Sequence, residues 1–137
     1  MQHVLNPGNG HAPKWTAESR PQRSFDELSP FRWFVLRARQ RVHKGPTDLS
    51  PEYLKGIWIQ QNGTCPLTGW SLLLPQGTRG WKAARPCNAS LDRIDCSKGY
   101  VQGNVRFVGV IANYARNTFS DDVLREFCAA VVNHQAV

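Results

Sequence analysis

An α+β fold, with a strand–turn–strand–helix core packed against additional α-helices, is predicted by three features of this 137-residue chain. Leu91 and Ile94 within residues 90–95, and Val105, Phe107 and Val108 further on, are short apolar runs among polar neighbours. Between them Cys96-Ser97-Lys98-Gly99 has the small residues of a turn. After this second run the period lengthens, with Val108, Ile111, Ala112 and Ala115 recurring at helical spacing. Two serine–proline pairs, Ser29-Pro30 and Ser50-Pro51, each stand before an amphipathic stretch, as a cap followed by proline in the first turn.

In chain order, residues 1–24 mix glycine, proline and polar side chains around Trp15 and read as a flexible basic arm preceding one domain, 25–137. A first helix is expected from a Ser29 cap to about Val42, with Phe31, Phe34, Val35, Ala38 and Val42 as its buried stripe. Arg32 and Arg39 flank one side of that stripe, Arg37 and Arg41 the other. A second helix should start after Ser50-Pro51 and stop before Asn62-Gly63, turning Tyr53, Leu54, Ile57 and Trp58 inward. The turn at Cys65-Pro66-Leu67-Thr68-Gly69 then leads into an expected strand at Leu72, Leu73 and Leu74.

Residues 75–88 form a glycine-rich basic loop in which Arg79, Lys82 and Arg85 are candidate phosphate contacts and Trp81 a candidate base-stacking group. The alternative is a surface loop with Trp81 tucked beneath it. The hairpin and its helix follow. A last helix capped by Ser120, with Asp121 and Asp122 at the positive end of its dipole, presents Val123, Leu124, Phe127, Cys128 and Val131. That face is expected to close the core against the first two helices, or else to support a homodimer.

Seventeen basic against ten acidic residues give a net charge of +7, which suits a polyanionic partner, although a merely solvated basic surface has the same composition. Cys65, Cys87, Cys96 and Cys128 include no Cys-x-x-Cys pair, so reduced thiols and no structural zinc are expected. No apolar leader-like segment and no run of about 18 apolar residues stand out, so a cytoplasmic location away from membranes is expected. There is no internal repeat.

Leu91-Asp92-Arg93-Ile94-Asp95, Gly99-Tyr100 and Gly103-Asn104-Val105 resemble the HNH endonuclease family, with its ββα-metal fold. The phage and bacterial members are the most similar, and Gly63-Thr64-Cys65-Pro66-Leu67-Thr68-Gly69-Trp70 is similar to their entry segment, so that the resemblance spans residues 62–118. It implies a metal-dependent endonuclease hydrolysing DNA, double-stranded most readily. Asp92 and Asn113 are implied as metal ligands, Asn104 as the residue ordering the loop, and Arg116 as a phosphate contact; Lys98 and Arg106 join it as candidate nucleic-acid contacts. The implied ion is magnesium, or manganese, since a carboxylate and an amide oxygen are hard ligands that leave room for water and phosphate.

Arg93 departs from the family, most of which has a histidine there as general base. A guanidinium stays protonated and cannot take that role, though it can bind phosphate. Asp95, Tyr100, His43 and His134 are the candidate replacements, as is a metal-bound hydroxide. Two further readings stay open: a nucleic-acid-binding module that keeps the frame without hydrolysis, and a nuclease or toxin directed at RNA.

Overall fold

The computed structural model describes residues 26–41, 45–76 and 80–134; the arm at 1–24, Val42, His43 and Arg79 lie outside the described residues. Along the chain run α1 (Ser29–Gln40), α2 (Pro51–Gln60), β1 (Ala89–Arg93), β2 (Val105–Gly109), α3 (Val110–Arg116) and α4 (Asp121–Asn133). This is a mixed α+β arrangement, with four helices and one two-stranded sheet among the described residues.

The entry to α1 differs from the expected serine cap. Leu28 occupies the cap position and Ser29 is already helical. Asp26 supplies the local hydrogen bonds instead, accepting from the Leu28 N–H at 3.0 Å, while its own N–H donates to Ser29 Oγ at 3.0 Å. Its carboxylate also receives both terminal nitrogens of Arg32, at 2.7 and 2.9 Å. The helix stops at Gln40, two residues short of the expected end. In α2 the expected cap is present, Ser50 Oγ accepting from the Tyr53 N–H at 3.1 Å. The chain leaves α2 through Asn62 and Gly63, both at positive φ, and a Cβ on Gly63 would stand 3.0 Å from the Trp58 ring.

Leu72–Leu74 does not form the expected strand. Only isolated bridges occur, Thr64 with Ser71 and Leu73 with Asn88. The Leu73 N–H donates to the Cys87 carbonyl and the Ala89 N–H donates to the Leu73 carbonyl, each side once. Pro75 and Pro86, which have no N–H, flank this bridge and keep the ladder from extending.

β1 and β2 are antiparallel, with Leu91 opposite Phe107 and Asp92 opposite Arg106. Strand alternation separates the two pairs onto opposite faces. Phe107, fully buried, meets Phe31, Phe34 and Trp58 edge to face, with ring centroids 5.0 to 6.1 Å apart, and so joins the hairpin to α1 and α2. The other face, carrying Asp92 and Arg106, receives α3. β1 ends at Arg93, before the expected Asp95, because the loop beyond it turns onto the Asn104 side chain.

β2 runs into α3 at Gly109, where a Cβ would lie 2.9 Å from the Pro86 carbonyl oxygen; only glycine fits there. The Ser120 cap of α4 is present, accepting from the Val123 N–H at 3.2 Å. Its expected buried face is not formed: Leu124 is its one buried residue, while Val123, Phe127, Cys128 and Val131 are exposed. The two faces of the hairpin are already taken by α1 with α2 and by α3, so α4 packs on α3. All four cysteines are free thiols, as expected. Among the described residues no helix is long and apolar enough to cross a membrane.

Candidate nucleic-acid site

The hairpin register sets Asp92 beside Arg106, and α3, one turn after Asn113, brings Arg116 to the same carboxylate. Asp92 is 3% exposed. Its Oδ2 accepts from Arg106 Nε at 2.9 Å and from Arg116 Nη1 at 3.1 Å; its Oδ1 accepts from Arg116 Nη1 at 2.9 Å. The remaining Arg106 nitrogens grip Asp121, at the start of α4, at 2.8 and 2.7 Å. Arg116 Nε lies 2.9 Å from Asp121 Oδ1 but off the hydrogen-bond direction, while its Nη atoms also donate to the Arg93 and Ile94 carbonyls.

Two guanidinium and two carboxylate charges therefore balance, with Asp92 and Arg116 buried and Arg106 and Asp121 partly exposed, so that the buried pair would be costly if either sign stood alone. Hydrogen bonds to Asp121 push the Arg106 guanidinium further toward its charged form, and those same bonds hold the Asp121 carboxyl below its ordinary value. This corrects the expectation that Arg116 and Arg106 meet phosphate. Both are turned inward, tying hairpin, α3 and α4 together.

The loop between the strands is knitted as the sequence suggests. Asn104, buried, accepts from the Asp95 N–H at 2.9 Å and donates to the Asp95 and Gly99 carbonyls at 3.0 and 2.9 Å. Arg93 donates to the Cys96 and Lys98 carbonyls at 2.9 Å each and lies 5.5 Å from the Tyr100 ring centre, so its charge is held beside the loop. Asp95 accepts from Ser97 Oγ at 2.6 Å and from the Ser97 N–H at 2.9 Å, which holds its carboxyl below the usual carboxylate range and makes it a weaker base. Tyr100 is buried, its hydroxyl accepting from Arg41, whose guanidinium also lies over the ring. His134, at the exposed end of α4, borders neither cleft described next.

Two clefts open beside this framework and share Arg41, Tyr100, Asn113 and Tyr114. The smaller, about 360 Å³, also holds Asp92, Arg93, Cys96 and Asn117. The larger, about 590 Å³, extends between α1 and the loop that carries Trp81 and Arg85. Asn113 donates to Ser90 Oγ at 2.7 Å, which leaves its Oδ1 without a partner among the described residues.

Asp92 and Asn113 thus border one cleft, as a shared ion would require. Asp92 Oδ1 takes a hydrogen bond from one guanidinium and retains a lone pair, and ligating carboxylates are ordinarily hydrogen-bonded from behind. The donor set is lean: among the described residues there is no group of three His, Cys, Asp or Glu side chains. One carboxylate and one amide oxygen are the hard donors that a magnesium-like cation would take.

Of the remaining candidate contacts, Arg85 borders the larger cleft, while Lys82 and Lys98 are exposed outside both. Three participants carry no signal in the sequence for the roles they take: Ser90, which orients Asn113; Arg41, which reaches Tyr100 from just past the end of α1; and Asp121, whose place at a helix start pointed only to its dipole. No family model, no curated protein and no solved structure matches the chain.

Proposed function

We propose that the protein is a metal-dependent DNA endonuclease of the HNH type, with the scissile phosphate in the cleft between β1, α3 and the 94–104 loop. The observation that carries this reading is the meeting of Asp92 and Asn113 at one cleft, on a hairpin followed directly by a helix, with Asn104 tying the loop as the resemblance implies. Asp92 and Asn113 would hold magnesium or manganese. That ion, when bound, would supply neutralisation of the phosphate oxygens and of the leaving 3′ oxygen.

The chain's own groups do the rest. Arg106 and Arg116 fix the Asp92 carboxylate, Ser90 fixes the Asn113 amide, and Arg41 and Arg93 place positive charge along the wall that phosphate enters. Arg93 cannot accept the water's proton; Asp95, a weakened base because its loop holds the carboxyl below the usual range, Tyr100, His43 and a metal-bound hydroxide stay the candidates for that role. A cut through both strands would use two copies, and the exposed Phe127 and Val131 on α4 are the surface this reading assigns to pairing.

A second reading, a binding module without hydrolysis, is favoured by one observation: two guanidiniums already share the Asp92 carboxylate. Incubating supercoiled plasmid with the protein and magnesium, manganese or EDTA separates the two. Metal-dependent nicking or linearisation is expected of the endonuclease. Salt-sensitive binding with no cutting in either metal would establish the module instead.

A further inference from the structure

The larger cleft is more than an approach to the phosphate site. One wall is aromatic: Trp33 of α1 and Trp81 of the loop before β1 meet edge to face at 5.0 Å and 81°. Both are held in place, Trp81 by donating its indole N–H to the Leu73 carbonyl at 2.8 Å and Trp33 by contact with Phe34, centroid to centroid 5.2 Å. The Arg37 guanidinium sits 4.9 Å from the Trp33 ring centre, and Arg85 adds a second exposed cation to the rim.

Asn88 also lines this cleft and is 7% exposed. Its Nδ2 donates to the Ala83 carbonyl at 3.0 Å, which fixes the amide's orientation, and its buried Oδ1 has no hydrogen-bond partner. The fixed amide is part of the cleft's lining.

We infer that this cleft receives an unpaired nucleotide of the nucleic-acid strand whose phosphate lies in the neighbouring cleft. The chemistry is that of a nucleotide: a flat base for the tryptophan wall and Arg37, and a charged backbone that continues past Arg41 and Asn113 into the phosphate site. The size agrees, since about 590 Å³ lies within the roughly 300–1,000 Å³ of small-ligand sites. In a duplex the faces of each base are covered by its neighbours, so a stacking pocket selects a single-stranded or extruded nucleotide. The inference rests on the proposed nuclease reading and sharpens it, assigning a substrate with an unpaired base beside the cut.

The test is equilibrium binding of the full chain, without added metal, to a fluorescently labelled single-stranded DNA, its duplex, and the single-stranded RNA of the same sequence, for wild type, Arg37→Ala and Trp33→Leu. The expected result is single-stranded DNA bound about tenfold more tightly than duplex, with Arg37→Ala lowering affinity for the strand more than for the duplex and so removing most of that preference. Arg37 is exposed on α1, so this variant keeps the inference testable if Trp33→Leu does not fold. Single-stranded RNA bound as well as the DNA strand would support the pocket and widen its source. Equal affinity for strand and duplex, or an Arg37→Ala loss identical on both, would overturn the inference and leave the nuclease reading standing. Absence of binding to all three would overturn the inference, the nuclease reading being decided by plasmid cleavage in metal.

Discussion

Replacing Asp92 by asparagine keeps the side chain's shape and removes its charge, leaving the Arg106 and Arg116 guanidiniums opposed by Asp121 alone. Asp92 is 3% exposed, and the side chain of Arg116 is 4% exposed, so water cannot take over the lost interaction. Breaking a buried pair by removing one partner costs about 3–5 kcal/mol. The upper part of that range applies if both guanidiniums lose their partner, the lower part if Arg106 keeps its two bonds to Asp121. Against a total stability of about 5–15 kcal/mol for a small domain, this is a large fraction. Urea unfolding of wild type, Asp92→Asn, Arg116→Met and the double variant, followed by tryptophan fluorescence, reads the cost and the coupling. The double variant should be less destabilised than the sum of the singles by about 1–3 kcal/mol, because each single change leaves an unpaired charge that the double change removes. Additive effects, or an Asp92→Asn cost under about 1 kcal/mol, would refute the inward-facing network and leave the carboxylate free.

Four further outcomes follow from other residues. Asn104→Ala removes three hydrogen bonds that close the 94–104 loop and should cost about 1–3 kcal/mol in the same unfolding assay, with hydrogen exchange rising in residues 95–104. Gly109→Ala forces a Cβ against the Pro86 carbonyl and should lower the melting temperature; an unchanged value would mean that the Pro86 segment yields freely. Asp121 is held below its ordinary value of 3.8, chiefly by hydrogen bonds from Arg106, so its contribution is present above that pH and lost as pH falls further, through its folded value. Asp121→Asn should therefore flatten the wild-type loss of stability below pH 4, as followed by acid titration of the fluorescence. Lys98→Ala, if that exposed lysine meets phosphate, should weaken DNA binding and reduce the salt slope by about one unit, measured by anisotropy across a salt series.

Much of the fold was legible because local rules decide it. The Ser50 and Ser120 caps, the turn at Gly63 and the change of period after Val108 are written in a few residues each, and all four occur. What was not legible depended on competition between distant segments. Val123, Phe127 and Val131 have the pattern of a buried face, yet the hairpin surfaces they would cover were already taken, and no local pattern records that. In the candidate site, the loop role of Asn104 was legible from its side-chain hydrogen-bonding capacity, and the pairing of Asp92 with Asn113 came only from the family resemblance. The fate of Arg106 and Arg116 did not, because an arginine beside a strand carboxylate reads equally well as a phosphate contact or an inward ion pair. Only burial of the Asp92 carboxylate decides it, and that is set by how α3 and α4 close over the hairpin.

Cleavage of supercoiled plasmid by Asn113→Ala beside wild type, in magnesium and in manganese, tests the central claim most directly. Asn113 is half-buried and its side chain's one hydrogen bond among the described residues is to Ser90, so the variant should fold and bind DNA. The account predicts cutting by wild type that EDTA stops, and loss of about a hundredfold or more in the variant at unchanged DNA affinity, the scale of one lost group acting on developing charge. Equal cutting by both proteins would contradict the placement of the ion at Asp92 and Asn113, and no cutting by wild type in either metal would contradict the endonuclease itself.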